Sequence, residues 1–219
     1  MKNILLVNKP KKWTSHDVCN KLKRHFKLKK VGHAGTLDPN ATGLLVIGIN
    51  DATKALNNLV MDEKEYIATI QFNKQTTTYD VEGDVINETS KKVELKDIEN
   101  ILNKYNNKYF WQYPPIYSSI KINGKKLYDY ARSNQTIDLP KRTVYTNEIE
   151  LKEFDYLNQI LVVRLNVSKG FYVRSFANDI GLELHNFAYL KELHRTKSGQ
   201  FDIKDSLTID EILKANIIS

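Results

Sequence analysis

The sequence GHAGTLDPNATG, at residues 32–43, combines three glycines, one proline, one histidine and a single carboxylate. Pro39 fixes its own φ angle and disfavours helical backbone at Asp38, the residue before it. The apolar run LLVIGI follows at residues 44–49 and is typical of a buried strand. We therefore expect a constrained loop that presents Asp38 at the edge of a rigid scaffold. An ordinary Asp-Pro turn between two elements is the alternative.

The composition favours a globular protein with an anionic partner. The chain has 33 Lys and Arg residues against 26 Asp and Glu, a net charge of +7, and this excess points most simply to nucleic acid. Its one cysteine, Cys19, excludes a disulfide framework, and the five histidines do not fall at zinc-ligand spacing, so we expect no metal and no cofactor. No apolar run reaches membrane-spanning length and no secretory signal is recognisable, which predicts a cytoplasmic protein without a membrane partner.

Hydrophobic periodicity predicts alternating strands and helices. A strand at residues 3–8 ends at Lys9, and Thr14 with Asp17 forms a capping-box pattern before a helix with basic outer positions. Further strands are predicted at 66–72, 121–124, 148–154 and 160–167, and further helices at 96–105, 127–132, 174–185 and 208–213. Residues 76–83 and 133–142 are expected to be polar loops. The pattern indicates an α+β fold, a largely antiparallel mixed sheet flanked by helices and loops, in one domain spanning 1–219.

Five segments in order resemble the TruB-type tRNA pseudouridine synthases. The loop matches every fixed position of that family's pattern G-H-x-G-x-L-D-P-x-A-T-G. The other four segments are NKPKKWTSHDV at 8–18, KEYIA at 64–68, PPIYSSIKINGKKLYDYAR at 114–132 and SKGFYVRSFANDIG at 168–181. Ser119, Phe171 and Asn73 depart from residues common in the family. The chain also ends without room for the RNA-binding PUA module that many members carry, so the resemblance implies a short form.

The resemblance implies an isomerase that converts uridine 55 in the TΨC loop of tRNA to pseudouridine. Asp38 is then the nucleophile that acts on a flipped-out base. Tyr66 supplies a stacking face, with a core position as its alternative. His33 fills the gap that the base leaves, with a core or capping role as its alternative. Arg174 is expected to hold the Asp38 carboxylate through its planar fork.

The remaining site residues are predicted RNA contacts. Tyr172, expected on the same strand side as Arg174, packs against the uracil or belongs to the core. Lys9 contacts either a phosphate or the site loop, and Lys64 belongs to the K-x-Y strand. The insertion at 114–132 is part pocket wall and part RNA-gripping element, with three lysines reaching phosphates: Lys121, Lys125 and Lys126.

Two other readings stay open at this point. One is a catalytically idle tRNA-binding or tRNA-folding protein of the same fold, and the other is a generic basic nucleic-acid-binding domain. Against both, Asp38, Tyr66 and Arg174 are all present. The partner expected in each case is a nucleic acid, and in the leading one it is the TΨC stem-loop of tRNA. The sequence implies no protein partner and is consistent with a monomer.

Overall fold

A computed structural model describes residues 3–54, 56, 63–118, 120–122, 124–127, 130, 133 and 137–215. Fourteen strands and four α-helices lie within these residues. The strands are β1 (Ile4–Lys9), β2 (Val31–Ala34), β3 (Thr42–Ile49), β4 (Lys64–Phe72), β5 (Lys74–Thr76), β6 (Val85–Glu88), β7 (Lys108–Gln112), β8 (Lys121–Ile122), β9 (Lys125–Lys126), β10 (Arg142–Asp155), β11 (Ile160–Val167), β12 (Ala188–Ser198), β13 (Phe201–Asp202) and β14 (Leu207–Thr208). The helices are α1 (Ser15–His25), α2 (Leu95–Tyr105), α3 (Val173–Glu183) and α4 (Ile209–Ala215).

The chain divides into two compact units. The first unit takes residues 1–67 and 193–219, and the second takes residues 68–192. Strands β4 and β12 therefore each carry residues of both units. The expectation of a single domain over 1–219 stays a prediction. Within the described residues, no helix has both the length and the apolar character required to cross a bilayer.

In the first unit, the strands follow the order β14-β1-β3-β12, and β2 pairs with β3. Strand β3 runs antiparallel to β1 and parallel to β12. The core includes Val7 of β1, Leu45 and Ile47 of β3, Leu22 of α1 and Ile212 of α4. The predicted burial of residues 44–49 is confirmed at every position, and the loop that contains Asp38 leads directly into this strand.

Both predicted capping boxes are present in the first unit. The Thr14 hydroxyl accepts a hydrogen bond from the Asp17 N–H, and the Asp17 carboxylate accepts one from the Thr14 N–H at 2.9 Å. The Glu211 carboxylate accepts the Thr208 N–H at 2.8 Å in the same way. These bonds satisfy N–H groups that have no partner inside the helix, and they fix where α1 and α4 begin.

In the second unit, the strands follow the order β4-β11-β10-β7. Strands β10 and β11 form the predicted antiparallel hairpin, and β10 also pairs antiparallel with β7. An aromatic cluster packs behind β7: Phe110 lies edge-on to Tyr105 and Phe171, and Tyr105 lies edge-on to Phe176. The predicted α+β fold with a largely antiparallel mixed sheet is confirmed.

Two local predictions have different outcomes. The polar loop predicted at residues 76–83 is confirmed, since it joins β5 and β6 and only Thr76 belongs to a strand. Tyr172 does not lie on a strand with Arg174, because Tyr172 is the N-cap of α3 and Arg174 belongs to its first turn. The alternating pattern in FYVRS resembles a strand, and this resemblance explains the wrong prediction. Most of the predicted helix at 127–132 lies outside the described residues.

Candidate active site

The loop between β2 and β3 depends on two glycines with positive φ. Gly35 has a φ of +76° and Gly43 a φ of +101°, a region that L side chains rarely adopt. A Cβ atom at Gly43 would lie 2.3 Å from the carbonyl oxygen of Arg195, because β12 passes directly beside β3 at this point. Glycine at position 43 is therefore required both by the backbone angle and by the close approach of another main chain.

The backbone on each side of Asp38 is hydrogen-bonded. The Ser15 hydroxyl accepts from the Leu37 N–H at 2.9 Å, while the Asp38 carbonyl accepts from the Ala41 N–H at 3.1 Å. The Pro39 carbonyl accepts from the Lys12 N–H at 2.8 Å. These bonds hold the loop that was predicted to present Asp38, and the half-buried position of Asp38 leaves part of its surface accessible.

Lys9 lies beneath this loop and is fully buried. Its ammonium donates hydrogen bonds to the carbonyl oxygens of Trp13 at 2.6 Å, Pro10 at 3.0 Å and Pro39 at 3.3 Å. Burial lowers the pKa of Lys9 to about 8, an effect that the Asp38 carboxylate opposes and the Arg195 charge reinforces. Of the two predicted roles, the structure supports contact with the site loop. A buried ammonium is not placed to contact a phosphate.

Arg195 also supports the loop and was missed by the sequence analysis. Its side chain is fully buried, and it donates from Nε to the Leu44 carbonyl at 2.7 Å and from Nη2 to the Gly35 carbonyl at 3.2 Å. The guanidinium therefore joins the two ends of the loop. Nothing in the sequence HRTKSG distinguishes this arginine from its basic neighbours His194 and Lys197, since its burial results from the pairing of β12 with β3.

His33 lies on β2, opposite Ile47 of β3. Burial lowers the pKa of His33, and the positive charges of Arg195 and His16 act in the same direction, so the imidazole is neutral at neutral pH. The Gly35 backbone opposes this shift in the pKa, and the buried Nδ1 atom makes no hydrogen bond that meets the geometric criteria within the described residues. Its predicted role in filling the gap left by a flipped base stays a prediction.

Strand β4 begins with three residues of interest. Lys64 is buried and borders the loop, since a Cβ atom at Gly35 would lie 3.8 Å from Lys64 Cε. Tyr66 is half-buried. Glu65, a buried carboxylate that the sequence analysis did not single out, accepts from the Thr196 hydroxyl at 2.8 Å and lies 3.6 Å from the Lys197 ammonium.

The first unit thus brings together one loop carboxylate and buried cations. Lys9, Lys64 and Arg195 surround the loop, and Asp38 is close enough to Lys9 to raise its pKa against the effect of burial. This attraction is mutual, so a charged Lys9 favours a negatively charged Asp38. A carboxylate held by its backbone in a positive environment is suited to act as a nucleophile or base.

Arg174 is buried in the second unit. Its Nη1 atom lies 3.4 Å from the Asp80 carboxylate and donates to the Thr78 carbonyl at 3.2 Å, while Nη2 donates to the Tyr117 carbonyl at 3.1 Å. Asp80 is itself fixed by the Thr78 hydroxyl at 2.6 Å and the Glu82 N–H at 2.9 Å. Asp80 was predicted to lie in a polar loop, and its ion pair with Arg174 was not predicted. The pairing of Arg174 with Asp38 stays a prediction.

Tyr172, just before Arg174, is held through its backbone. The buried Gln112 amide accepts from the Tyr172 N–H at 2.8 Å and donates to the Tyr172 carbonyl at 3.0 Å. The predicted phosphate contacts lie on the short paired strands β8 and β9, and their side chains fall outside the described part of the chain: Lys121, Lys125 and Lys126.

Comparison with known families decides the classification. The model described as "TruB family pseudouridylate synthase (N terminal domain)" matches residues 23–173. The chain belongs to the TruB family of pseudouridylate synthases. A second TruB model, described as "tRNA pseudouridylate synthase B C-terminal domain", matches residues 174–219. The resemblance stated from the sequence motifs is confirmed, and with it the prediction of an enzyme.

TruB relatives match over almost the whole chain. The tRNA pseudouridine synthase B of Malacoplasma penetrans (strain HF-2) is 49% identical over 208 residues, which cover 95% of this chain and 90% of the relative. That of Ureaplasma urealyticum serovar 10 is 50% identical over 212 residues, covering 96% of this chain and 92% of the relative. These two proteins are similar to the present chain in sequence and in length.

Solved structures support the fold. A chain in a Cbf5–Nop10–Gar1 complex is similar with a TM-score of 0.74 and 27% identity, over 99% of this chain and 56% of that one. A chain in an H/ACA RNP bound to a substrate RNA containing 2'-deoxyuridine gives a TM-score of 0.71 with 25% identity, over 99% and 56% respectively. The present chain thus spans about half the length of those chains.

Proposed function

We propose that this chain converts uridine to pseudouridine in tRNA, and that its target is position 55 in the TΨC loop. Membership of the TruB family and relatives named tRNA pseudouridine synthase B support the reaction and the class of RNA. The observation that carries the proposal is the loop around Asp38, a carboxylate held through its backbone above buried Lys9 and Arg195. The choice of position 55 comes from the family motifs.

The reaction rearranges one nucleoside without a redox change. The bond between N1 of uracil and C1′ of ribose breaks, the base turns, and a bond forms between C5 and C1′. The hydrogen on C5 leaves as a proton and N1 gains one, so atoms and charge balance. Asp38 acts as the nucleophile that keeps the enzyme joined to one fragment during the turn, whether it attacks the base or the sugar, or assists an elimination.

The other residues have roles around the flipped-out base. Tyr66 provides a ring on which the uracil stacks, and its hydroxyl helps to move a proton from the sugar. His33, neutral at neutral pH, fills the gap in the RNA. Arg174, held by Asp80, provides the cation that orients the nucleophile. These roles rest on the family pattern and, for Arg174, on the contacts that hold its guanidinium.

The RNA contacts follow the same pattern. Tyr172 lies against the base, Lys64 supports the loop from β4, and Lys121, Lys125 and Lys126 reach phosphates of the TΨC stem. Lys9 acts on the loop rather than on the RNA. The enzyme works as a monomer in the cytoplasm, without a protein partner and without a cofactor.

The second candidate is a catalytically idle tRNA-binding or tRNA-folding protein. Such a protein needs the basic surface but does not need a carboxylate whose loop is fixed by Ser15, Lys9 and Arg195. Burying a lysine and an arginine costs desolvation free energy. Both cations lie around a loop whose carboxylate has a use in catalysis but none in RNA binding. This difference favours the enzyme.

The test uses a tRNA transcript labelled with tritium at C5 of uridine. Formation of the C5–C1′ bond releases the label into water, so release measures the reaction directly. We expect the wild type to release the label and Asp38→Asn to lower the rate by at least about a thousandfold, with tRNA affinity retained. The matched control is Asp51→Asn, which removes an exposed carboxylate of the same unit and is expected to leave the rate unchanged.

Two outcomes would contradict the proposal. Label release by Asp38→Asn within about tenfold of the wild type would remove Asp38 as the nucleophile, provided that mass spectrometry shows no deamidation back to Asp. Tight tRNA binding by the wild type without any label release would identify the protein as the idle tRNA-binding form. Mapping of the modified nucleotide by chemical labelling tests position 55 separately.

A further inference from the structure

Strand β7 exposes a row of aromatic side chains. Tyr109, Trp111 and Tyr113 are 74%, 60% and 52% exposed, and they alternate with Phe110 and Gln112, which point inward. Phe110 packs edge-on against Phe171 at 6.0 Å between ring centroids, and Gln112 is fully buried. The inward residues fix the direction of the strand, so the outward aromatic row is a built feature of the fold.

Strand β10 adds to this surface. Tyr145 lies opposite Tyr109 in the β7–β10 pairing, and the two rings are 4.4 Å apart between centroids. The Lys141 ammonium lies 5.5 Å from the centre of the Trp111 ring and 5.6 Å from that of Tyr113. We call the surface formed by Tyr109, Trp111, Tyr113, Tyr145 and Lys141 the β7 face. Its strand is the last in the order β4-β11-β10-β7.

The cation printed against the rings of the β7 face is Lys141. Arg142 lies opposite Gln112 in the β7–β10 pairing, so it belongs to the inward side of the sheet, where a Cβ atom at Gly170 would lie 3.9 Å from its Nη1 atom. Two acidic residues flank the paired part of β10, Asp138 and Glu148, and the Glu148 carboxylate lies 2.9 Å from Arg164. Exposed aromatic rings beside a cation are what single-stranded nucleic acids bind, with bases on the rings and a phosphate near the cation.

We propose that the β7 face binds unpaired nucleotides of an RNA strand. Bases stack on Trp111 and Tyr109, and a phosphate lies near Lys141. The proposal goes beyond the modification of uridine and rests on the proposed function only in that the RNA would be the tRNA substrate. The β7 face would accept an unpaired strand of any sequence, because stacking on an aromatic ring does not select one base.

A second copy of the chain fits the β7 face less well. A two-fold symmetric contact through this face would bring the Lys141 ammonium of both copies to one interface. Residues 106–118 and 139–147 contain no Asp or Glu to pair with it there. An RNA strand brings the opposite charge, so charge complementarity favours RNA.

The second unit also provides a matched control. Tyr156 is 41% exposed and has the Lys92 ammonium 4.7 Å from the centre of its ring. Its hydroxyl, however, donates to the Glu94 carboxylate at 2.9 Å, and Asp155 precedes it in the chain. Tyr156 thus repeats the lysine–tyrosine contact without the aromatic row and among acidic groups, so it is not expected to bind RNA.

The first experiment measures binding of an oligocytidylate about ten nucleotides long, which contains no uridine and so offers no substrate to the proposed catalytic site. We expect the full chain to bind it by fluorescence anisotropy at about 50 mM salt, and Trp111→Leu to weaken binding by at least about tenfold. Tyr156→Ala should leave the affinity unchanged. Lys141→Gln should reduce the slope of log affinity against log salt by about 0.7, the value for one phosphate contact on a single strand.

The second experiment observes the ring itself. Trp13 and Trp111 are the two tryptophans of the chain, so Trp13→Phe leaves Trp111 as the only fluorophore of this kind. A base that stacks on the ring quenches its emission, and we expect saturable quenching at the concentration that gives the anisotropy change. Tyr109→Ala in this background should shift the midpoint to higher oligonucleotide concentration, with the melting temperature unchanged because the side chain is mostly exposed.

Three results would overturn the proposal that the β7 face binds RNA. It fails if the wild type does not bind the oligonucleotide, if Trp111→Leu binds as well as Tyr156→Ala, or if binding leaves the Trp111 emission unchanged. Concentration-dependent dimerisation that Trp111→Leu abolishes would instead assign the face to a second copy. Label release from tRNA is read separately, so quenching without label release contradicts only the proposed function, and label release without quenching contradicts only this surface.

Discussion

The Nζ atom of Lys9 lies 3.3 Å from the carbonyl oxygen of Pro39, the residue that follows the predicted nucleophile Asp38. The lysine is fully buried, so this contact places a cation under the loop where water cannot replace it. The same ammonium binds the carbonyl oxygens of Pro10 and Trp13, which precede α1. Lys9 therefore ties the end of β1, the start of α1 and the catalytic loop to one point.

The lowered pKa of Lys9 predicts a pH-dependent stability. Because burial lowers the pKa from 10.5 to about 8, the unfolded chain binds more protons than the folded chain between these values. The free energy of unfolding should therefore rise with pH in that window, by at most about 1.4 kcal/mol per pH unit. We expect Lys9→Met to lack this rise. Urea denaturation of both proteins at several pH values measures the difference, and parallel curves would contradict it.

The Arg195 side chain should be needed for activity more than for RNA binding. Lysine keeps the charge but cannot donate to both the Leu44 and Gly35 carbonyls, so Arg195→Lys should displace the loop. A shift of about 1 Å costs about a hundredfold in rate, and we expect single-turnover rates to fall by that factor with tRNA affinity little changed. Arg164→Lys, in a partly exposed ion pair with Glu150, is the control and should keep its rate. Equal rates for both variants would show that Arg195 has no such role.

Replacement of Gly43 should destabilise the first unit. The added Cβ atom of Gly43→Ala would lie 2.3 Å from a main-chain oxygen of Arg195 at a φ of +101°, and neither strand can move without breaking pairs. We expect a loss of about 3 kcal/mol or more. Gly124→Ala has a φ of +79° but an open space around the added atom, and should cost only about 1 kcal/mol. Thermal denaturation compares the two, and equal losses would mean that the contact with Arg195 is not limiting.

Arg174 and Asp80 should behave as a unit. Arg174→Lys cannot keep the contacts to Asp80, Thr78 and Tyr117 together, and we expect at least about a hundredfold slower single-turnover reaction with tRNA binding retained. Asp80→Asn should slow the same step, because it removes the charge that fixes the guanidinium. Asp84→Asn, an exposed neighbour in the same hairpin, is the control. Activity of Arg174→Lys within about tenfold of the wild type would make the pair structural.

The sequence predicted those elements whose signals are local. Each of these signals is formed by residues that are close together in the sequence. They are the caps at Thr14 and Thr208, the apolar run that ends at Ile49, and the β10–β11 hairpin. The Asp38 loop was predicted for the same reason, since Gly35, Pro39 and Gly43 restrict the backbone by themselves.

The missed features depend on partners that are distant in sequence. Arg195 is buried because β12 pairs with β3, and Asp80 is significant because Arg174 lies beside it, 94 positions later in the chain by the difference of their numbers. Strand β7 was not predicted either, because the consecutive aromatic residues of KYFWQY do not reveal which of them face inward. Only the packing of Phe110 and the hydrogen bonds of Gln112 decide that alternation.

The Gln112 amide occupies the place of a peptide group. By accepting from the Tyr172 N–H and donating to the Tyr172 carbonyl, it lets one side chain complete the hydrogen bonds that a neighbouring strand would have provided. Position 112 is consequently restricted by chemistry as well as size: glutamate lacks the donor, and asparagine is one methylene shorter. A glutamine two residues before Pro114-Pro115 is therefore a useful marker of this strand when very distant homologues are aligned.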